Sequence, residues 1–414
     1  VSRYSQSNQC VVRRFKARYV FPGTGEPIAN GLIETDGKLI RDVRPAHDDE
    51  DCIDLGNVAI IPGLINAHTH LEFGRLSEPI GEPGIPFTDW IERVIAWRVQ
   101  TQFDPAESIT SGLQESLASG TTSLCDIVQP NWPRESFETT SVDTTAFLEL
   151  IAPTQERIAP AIDLAKKHIS TFTPSSNLHP GLSPHAPYSV HPKALSAIVS
   201  LSAAESIPLS FHLAESRAEL ELLCSGTGPF QTLLEQLGAW NDGVIKPNTK
   251  PLDLLRTLAN AHRTLIIHGN YLDANEIDFL ADHSDRMAVV FCPRTHAWFG
   301  NDRYPLDQLL SSGVVVAIGT DSRASSPTLS VLDELRFVAK KYPHLSGNTV
   351  LRMATINAAR ALGRDAELGS LEPDKLANFV AVGLPKEISH SIEPYQLLFD
   401  STETVSANYN CIAL

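Results

Sequence analysis

The reading of this chain turns on Val58-Ala59-Ile60-Ile61-Pro62-Gly63-Leu64-Ile65-Asn66-Ala67-His68-Thr69-His70-Leu71. An apolar run of strand length delivers two histidines two residues apart, and an extended strand turns residues i and i+2 to the same side. His68 and His70 therefore aim at one point at a strand end, which is metal-ligand spacing. The pair alone does not decide the matter, because two exposed loop histidines share that spacing. What decides it is whether other strand ends carry further ligands.

Outward from this stretch, apolar strands are predicted at Ile60–Ala67, Thr121–Val128, Ala146–Ile151, Leu178–Ser183, Pro208–Leu213, Thr264–His268, Met287–Cys292 and Val314–Gly319. Helical patterns lie between most of them, for example Trp90–Gln100, Pro153–Ile169, Pro192–Ser202 and Ala274–Ala281, and two more follow at Val331–Lys340 and Thr349–Ala361. Eight strands with crossover helices predict the α/β class and a (β/α)8 TIM barrel, whose site lies at the C-terminal ends of the strands. Ser216–Arg263 is longer than one helix needs and contains Gly226-Thr227-Gly228-Pro229, so it reads as an insertion over the barrel mouth. Near the start, Val11–Val20, Gly31–Thr35 and Lys38–Ile40 read as short strands, with Asp36-Gly37 as a two-residue hairpin turn. β character returns at Phe379–Val382, so residues 1–57 and 365–414 are expected to form a small β-sandwich domain beside a catalytic barrel over residues 58–364.

Strand ends supply the further ligands. In Leu209-Ser210-Phe211-His212-Leu213-Ala214-Glu215, alternation sends Leu209, Phe211 and Leu213 to the helices and His212 to the axis. The same parity argument is applied to His268 in Leu265-Ile266-Ile267-His268-Gly269, and the eighth strand runs into Thr320-Asp321-Ser322. One such histidine is an ordinary core residue; ligand types at four strand ends together argue for a metal site.

Composition narrows the partners. A net charge of −16 repels a phosphate backbone, and there is no basic stripe, so no nucleic-acid partner is expected. No segment approaches the ~20 apolar residues of a membrane span and Val1–Gln6 has no signal core, so no membrane partner and a cytoplasmic location are expected. Six cysteines without a C-x-x-C pair read as buried thiols. The expected partner is a small heterocyclic substrate, with a homodimer left open.

Taken together, Pro62–His70, Gly120-Thr121-Thr122, His212-Leu213-Ala214-Glu215, His268-Gly269, Cys292-Pro293, Gly319-Thr320-Asp321-Ser322 and Gly369–Asn378 resemble the amidohydrolase superfamily. The branch is that of the mononuclear aminohydrolases, with adenosine-type, guanine and cytosine deaminases and the s-triazine hydrolases. The resemblance implies that His68, His70, His212 and Asp321 bind one divalent metal, zinc or alternatively iron. It also implies that Asp321 and Glu215 belong to the catalytic set, that Glu215 moves protons, and that His268 orients the attacking water. No lysine stands at a strand end for a carbamate-bridged pair, so one metal is expected.

For the substrate, the resemblance marks His185 in Ser183-Pro184-His185-Ala186-Pro187 as a contact. Trp90, with Phe87 and Trp97, is either helix core or a cover over a ligand. His296 stands in Cys292-Pro293-Arg294-Thr295-His296, where many relatives carry serine-asparagine in place of Thr295-His296. Arg217 and Arg294 are the cations proposed to meet an acidic substituent. The segments Glu215–Leu223, Gly226–Phe230 and Cys292–His296 look most like aminodeoxyfutalosine deaminase-type chains. The expected activity is hydrolytic deamination of a purine or nucleoside-like heterocycle, aminodeoxyfutalosine being the candidate. Alternatives are hydrolysis of another C–N or C–Cl bond on a nitrogen heterocycle and a non-catalytic structural relative.

Overall fold

The computed structural model of the chain describes residues 12–101, 103–172, 177–386, 393–401 and 405–410. The apolar run from Val58 makes two strands, Val58–Pro62 and Leu64–Thr69, in place of the single strand expected. Gly63 is the reason. A Cβ there would lie 2.2 Å from Thr122 Oγ1 and 2.3 Å from Asn378 Oδ1, so only glycine lets the chain pass from one sheet into the other.

Leu64–Thr69 starts an eight-stranded parallel sheet continued by Thr121–Val128, Asp143–Leu150, Leu178–Pro184, Pro208–Leu213, Arg263–His268, Met287–Phe291 and Val315–Ile318. Each strand pairs with its successor. The ring is drawn together at its mouth, where Thr320 and Asp321 donate their backbone N–H groups to His68 O, both at 3.1 Å, and Thr69 bridges Asp321. Alternation sorts two buried layers. Leu209, Phe211, Leu213 and Ile266 pack under the helices, whereas Ile65, Ala67, Phe147, Leu265, Ile267 and Ala317 fill the barrel.

The small β unit from both chain ends is one mixed sheet of seven strands: Arg13–Val20, Ile28–Thr35, Ile40–Pro45, Ile53–Asp54, Val58–Pro62, Asn378–Gly383 and Val405–Asn410. It has its own core around Phe15, Ile33, Ile60 and Phe379. The strand expected at Lys38–Ile40 instead begins at Ile40, and the connection is the four-residue loop Asp36–Leu39. Asp36 Oδ1 accepts the N–H groups of Lys38 and Leu39 at 3.1 and 2.8 Å, which holds the loop wider than a two-residue turn.

The Thr349–Ala361 helix is broken into Gly347–Met353 and Ile356–Leu362 at Ala354-Thr355. The insertion carries three helices, Arg217–Ser225, Pro229–Gln236 and Pro251–Leu258. Of the cysteines, Cys125 and Cys292 are buried, but Cys52 is half-buried and Cys224 exposed, so those two depart from the buried thiols expected. Val11, Cys10 and Cys411 lie outside the described residues.

Candidate active site

Local backbone irregularities aim the histidines. Ile65 and Ala67 face the barrel interior, so strict alternation would send His68 and His70 outward. A register shift between Asn66 and Thr69 adds a residue to the ladder and turns both imidazoles into the mouth. His268 corrects the sequence reading. Leu265 and Ile267 are the interior residues of its strand, so parity points His268 away; its left-handed backbone, φ 69°, brings the ring back. Ala214 (φ 53°) and Asp321 (φ 57°) adopt the same conformation at the ends of the fifth and eighth strands. Each such residue costs on the order of 1–3 kcal/mol, which the surrounding packing must offset, and three of them ring one point.

At that point the rings of His68 and His70 are 4.9 Å apart and those of His68 and His212 5.0 Å apart. Asp321 Oδ1 lies 3.6 Å from Nε2 of both His68 and His70. The other Asp321 oxygen accepts from Ser325 Oγ at 3.1 Å, and His212 Nδ1 is held 2.9 Å from His185 O. Burial, reinforced by neighbouring imidazoles, pushes His68 and His70 well below the ordinary histidine range, and burial likewise lowers His212. Neutral imidazoles are what a metal requires. His68 Nδ1 and Nε2 and His70 Nδ1 are buried without a hydrogen-bond partner, a costly arrangement that a cation among the rings relieves. The residues therefore fit a divalent metal.

Beside this group, His268 Nε2 is 3.2 Å from Glu215 Oε1. Burial, with Asp321 and Glu219 adding repulsion, raises Glu215 well above the ordinary carboxylate range. The loop carrying Glu215 is pinned by Glu219, whose buried carboxylate accepts the N–H groups of Ala214 and Glu215 at 2.8 and 2.9 Å. Ser216 caps the following helix by accepting from Glu219 N. Tyr304 donates its hydroxyl to His268 O at 2.9 Å.

Comparison with known proteins is decisive for the family. The model of the Amidohydrolase family matches residues 59–408. The chain belongs to this family. This amidohydrolase is 28% identical over 389 residues to a 5-methylthioadenosine/S-adenosylhomocysteine deaminase of Bacillus cereus (strain AH187), covering 86% of this chain and 81% of that one. Its fold is similar to that of Helicobacter pylori aminofutalosine deaminase, with a TM-score of 0.82 at 22% identity over 96% of this chain and 98% of the other. It is also similar to a zinc-complexed atrazine chlorohydrolase from Arthrobacter aurescens TC1, with a TM-score of 0.76 at 20% identity over 95% and 93% of the two chains.

The mouth of this amidohydrolase opens into a cleft of about 1060 Å³, open to solvent, floored by His70, His212, His268, Glu215 and Asp321. His185 and Trp90 line it. His185 Nδ1 is 2.7 Å from Ser189 Oγ, and burial lowers this imidazole to about 4. Arg217, Arg294 and His296 do not line the cleft. Arg217 is exposed and pairs with Asp302, with Nε–Oδ2 at 2.7 Å. Arg294 is consumed by Glu334, at 2.6 Å, and by the carbonyls of Thr328 and Ser330. His296 is buried against Phe291 and Tyr304.

In their place the cleft presents Arg98, paired with Glu72, and Glu149, which accepts from Gln129 Nε2 at 2.8 Å. Sequence reasoning passed over all four. Glu149 did leave a signal: it shares the parity of the interior residue Phe147 at the end of the third strand.

Proposed function

We propose that this amidohydrolase is a metal-dependent hydrolytic deaminase that replaces the exocyclic amine of a purine or nucleoside-like heterocycle by oxygen, releasing ammonia. The observation that carries the reading is the convergence of His68, His70, His212 and Asp321 beside Glu215, whose Oε1 lies 3.2 Å from His268 Nε2. The names of the curated relatives, deaminases of adenosine derivatives, support the substrate class. His68, His70, His212 and Asp321 would hold zinc, or alternatively iron, which would supply Lewis-acid activation of water at neutral pH.

This chain's residues do the rest. Glu215, as the carboxylate, takes a proton from the attacking water and delivers it to the ring nitrogen; it then takes the proton of the newly added hydroxyl and delivers it to the departing amine, which leaves as ammonia. His268, tethered by its backbone to Tyr304, orients the water and polarises the carbon under attack. His185 and Trp90 meet the ring. An acid-bearing substrate such as aminodeoxyfutalosine loses the anchors assigned to Arg217 and Arg294. Free thiols at Cys52, Cys125, Cys224 and Cys292 support a reducing, cytoplasmic setting.

Replacing Glu215 by Gln keeps size and hydrogen bonding but removes proton transfer. Ammonia release is expected to fall by ~10²–10⁴-fold or more with metal content unchanged. Wild-type turnover in that variant removes Glu215 from the mechanism. A second reading, cleavage of another C–N or C–Cl bond on an s-triazine-type ring, uses the same constellation and is favoured by the apolar cleft walls; chloride or alkylamine release in place of ammonia identifies it.

A further inference from the structure

We infer that the cleft selects a substrate whose substituent remote from the reacting amine is bulky, apolar and uncharged, clamped between the Phe87–Gln100 and Pro229–Gln236 helices. The inference rests on the deaminase reading only for the polar end of the substrate. The floor of the cleft holds the histidines and carboxylates, but the walls above it are Trp90, Ile91 and Val94 from one helix and Leu233, Leu234 and Leu237 from the insertion. Phe87 and Phe230, with ring centroids 6.2 Å apart, join the two helices. Trp90 has its single polar atom satisfied, with Nε1 donating to Ala324 O at 3.1 Å, so it offers a ligand ring carbon.

Exposure gives an independent observation. Among the described residues only five large apolar side chains are exposed, and two of them, Ile151 (44%) and Leu237 (48%), line this cleft. Apolar surface left open at the rim of a concave site is surface reserved for a ligand.

Charge completes the case. Arg98 is the one cation among the described residues lining the cleft, and it is committed to Glu72 with Glu149 nearby. A terminal acid would meet the Glu149 carboxylate and an arginine already paired, and any charged tail would be stripped of water against leucines. This reverses the acidic substituent expected from sequence.

The test uses zinc-loaded protein and measures both Kd and kcat/KM for 5′-methylthioadenosine, adenosine and S-adenosylhomocysteine, whose tail ends in an ammonium and a carboxylate. The methylthio compound is expected to bind about tenfold more tightly than adenosine, the factor for two buried methylene-sized groups, and S-adenosylhomocysteine no better than adenosine. Leu237→Asp and Ile151→Asp alter exposed positions, so they should fold, as circular-dichroism melts would verify. Each should bring the methylthioadenosine-to-adenosine ratio toward one. Equal binding of all three compounds, or a ratio unmoved in both variants, overturns the inference. Preferential binding without ammonia release sinks the deaminase reading and leaves the inference standing; ammonia release without preference does the reverse.

Discussion

Gly319 shows how tightly the site is built. A Cβ at that position would lie 2.8 Å from His68 Cβ and 2.9 Å from His68 O, the carbonyl that accepts from Thr320 and Asp321. Gly319→Ala should push the eighth strand off the first and spread Asp321 from His68. The expected outcome is a loss of ~1–3 kcal/mol of stability with reduced metal occupancy, read by thermal denaturation and elemental analysis. An unchanged melting temperature and metal content would show that the two strands have room to spare. At this scale the sequence was legible where side-chain type and strand parity agree, as at His212. At His268 the expected inward direction holds for a different cause: parity alone points the side chain away, and a left-handed φ that no alternation rule contains turns it into the mouth. Arg217 and Arg294 were misplaced because their partners Asp302 and Glu334 lie 85 and 40 residues away in the chain and nothing local marks the pairing.

Among the elements, the third barrel strand, Asp143–Leu150, joins stability to function. Its C-terminal end presents Glu149 to the cleft, and its N-terminal Asp143 is buried between His179, at 2.7 Å, and Arg364. Burial alone would raise the Asp143 pKa, but His179 and Arg364 outweigh it and the carboxyl lies below its ordinary value. A depressed folded-state pKa contributes stability above the unfolded value of about 3.9, lost as pH falls through the folded value. Asp143→Asn is therefore expected to lose ~1–3 kcal/mol at pH 7, and its deficit against wild type should shrink on acidification below about pH 4. Urea denaturation at pH 7 and at low pH measures the difference; a deficit that persists in acid would mean the carboxylate charge is not what stabilises the strand. Most barrel strands were legible because apolar runs of strand length alternate with helical periodicity. The exceptions have local causes: Gly63 splits an apolar run between two sheets, and Asp36 widens a turn.

For the whole molecule, the parallel barrel places the ends of the first, fifth, sixth and eighth strands at one mouth, and the insertion between the fifth and sixth strands supplies an apolar wall above it. The barrel was legible because its eight strands recur along the chain, and the cluster of histidines with Asp321 because these residue types stand at the ends of those strands. The cleft wall was not, since leucines of the Pro229–Gln236 helix read as ordinary helix core until the fold sets them opposite Trp90 and Ile91. If one metal held by His68, His70, His212 and Asp321 makes this site a deaminase, bound metal and turnover rise together. The most direct measurement is a titration of chelator-treated protein with zinc while ammonia release from 5′-methylthioadenosine is followed. The expected result is no release from the metal-free protein and a linear rise that breaks at one equivalent per chain; activity without metal, or a break at two equivalents, would rule out a single-metal deaminase.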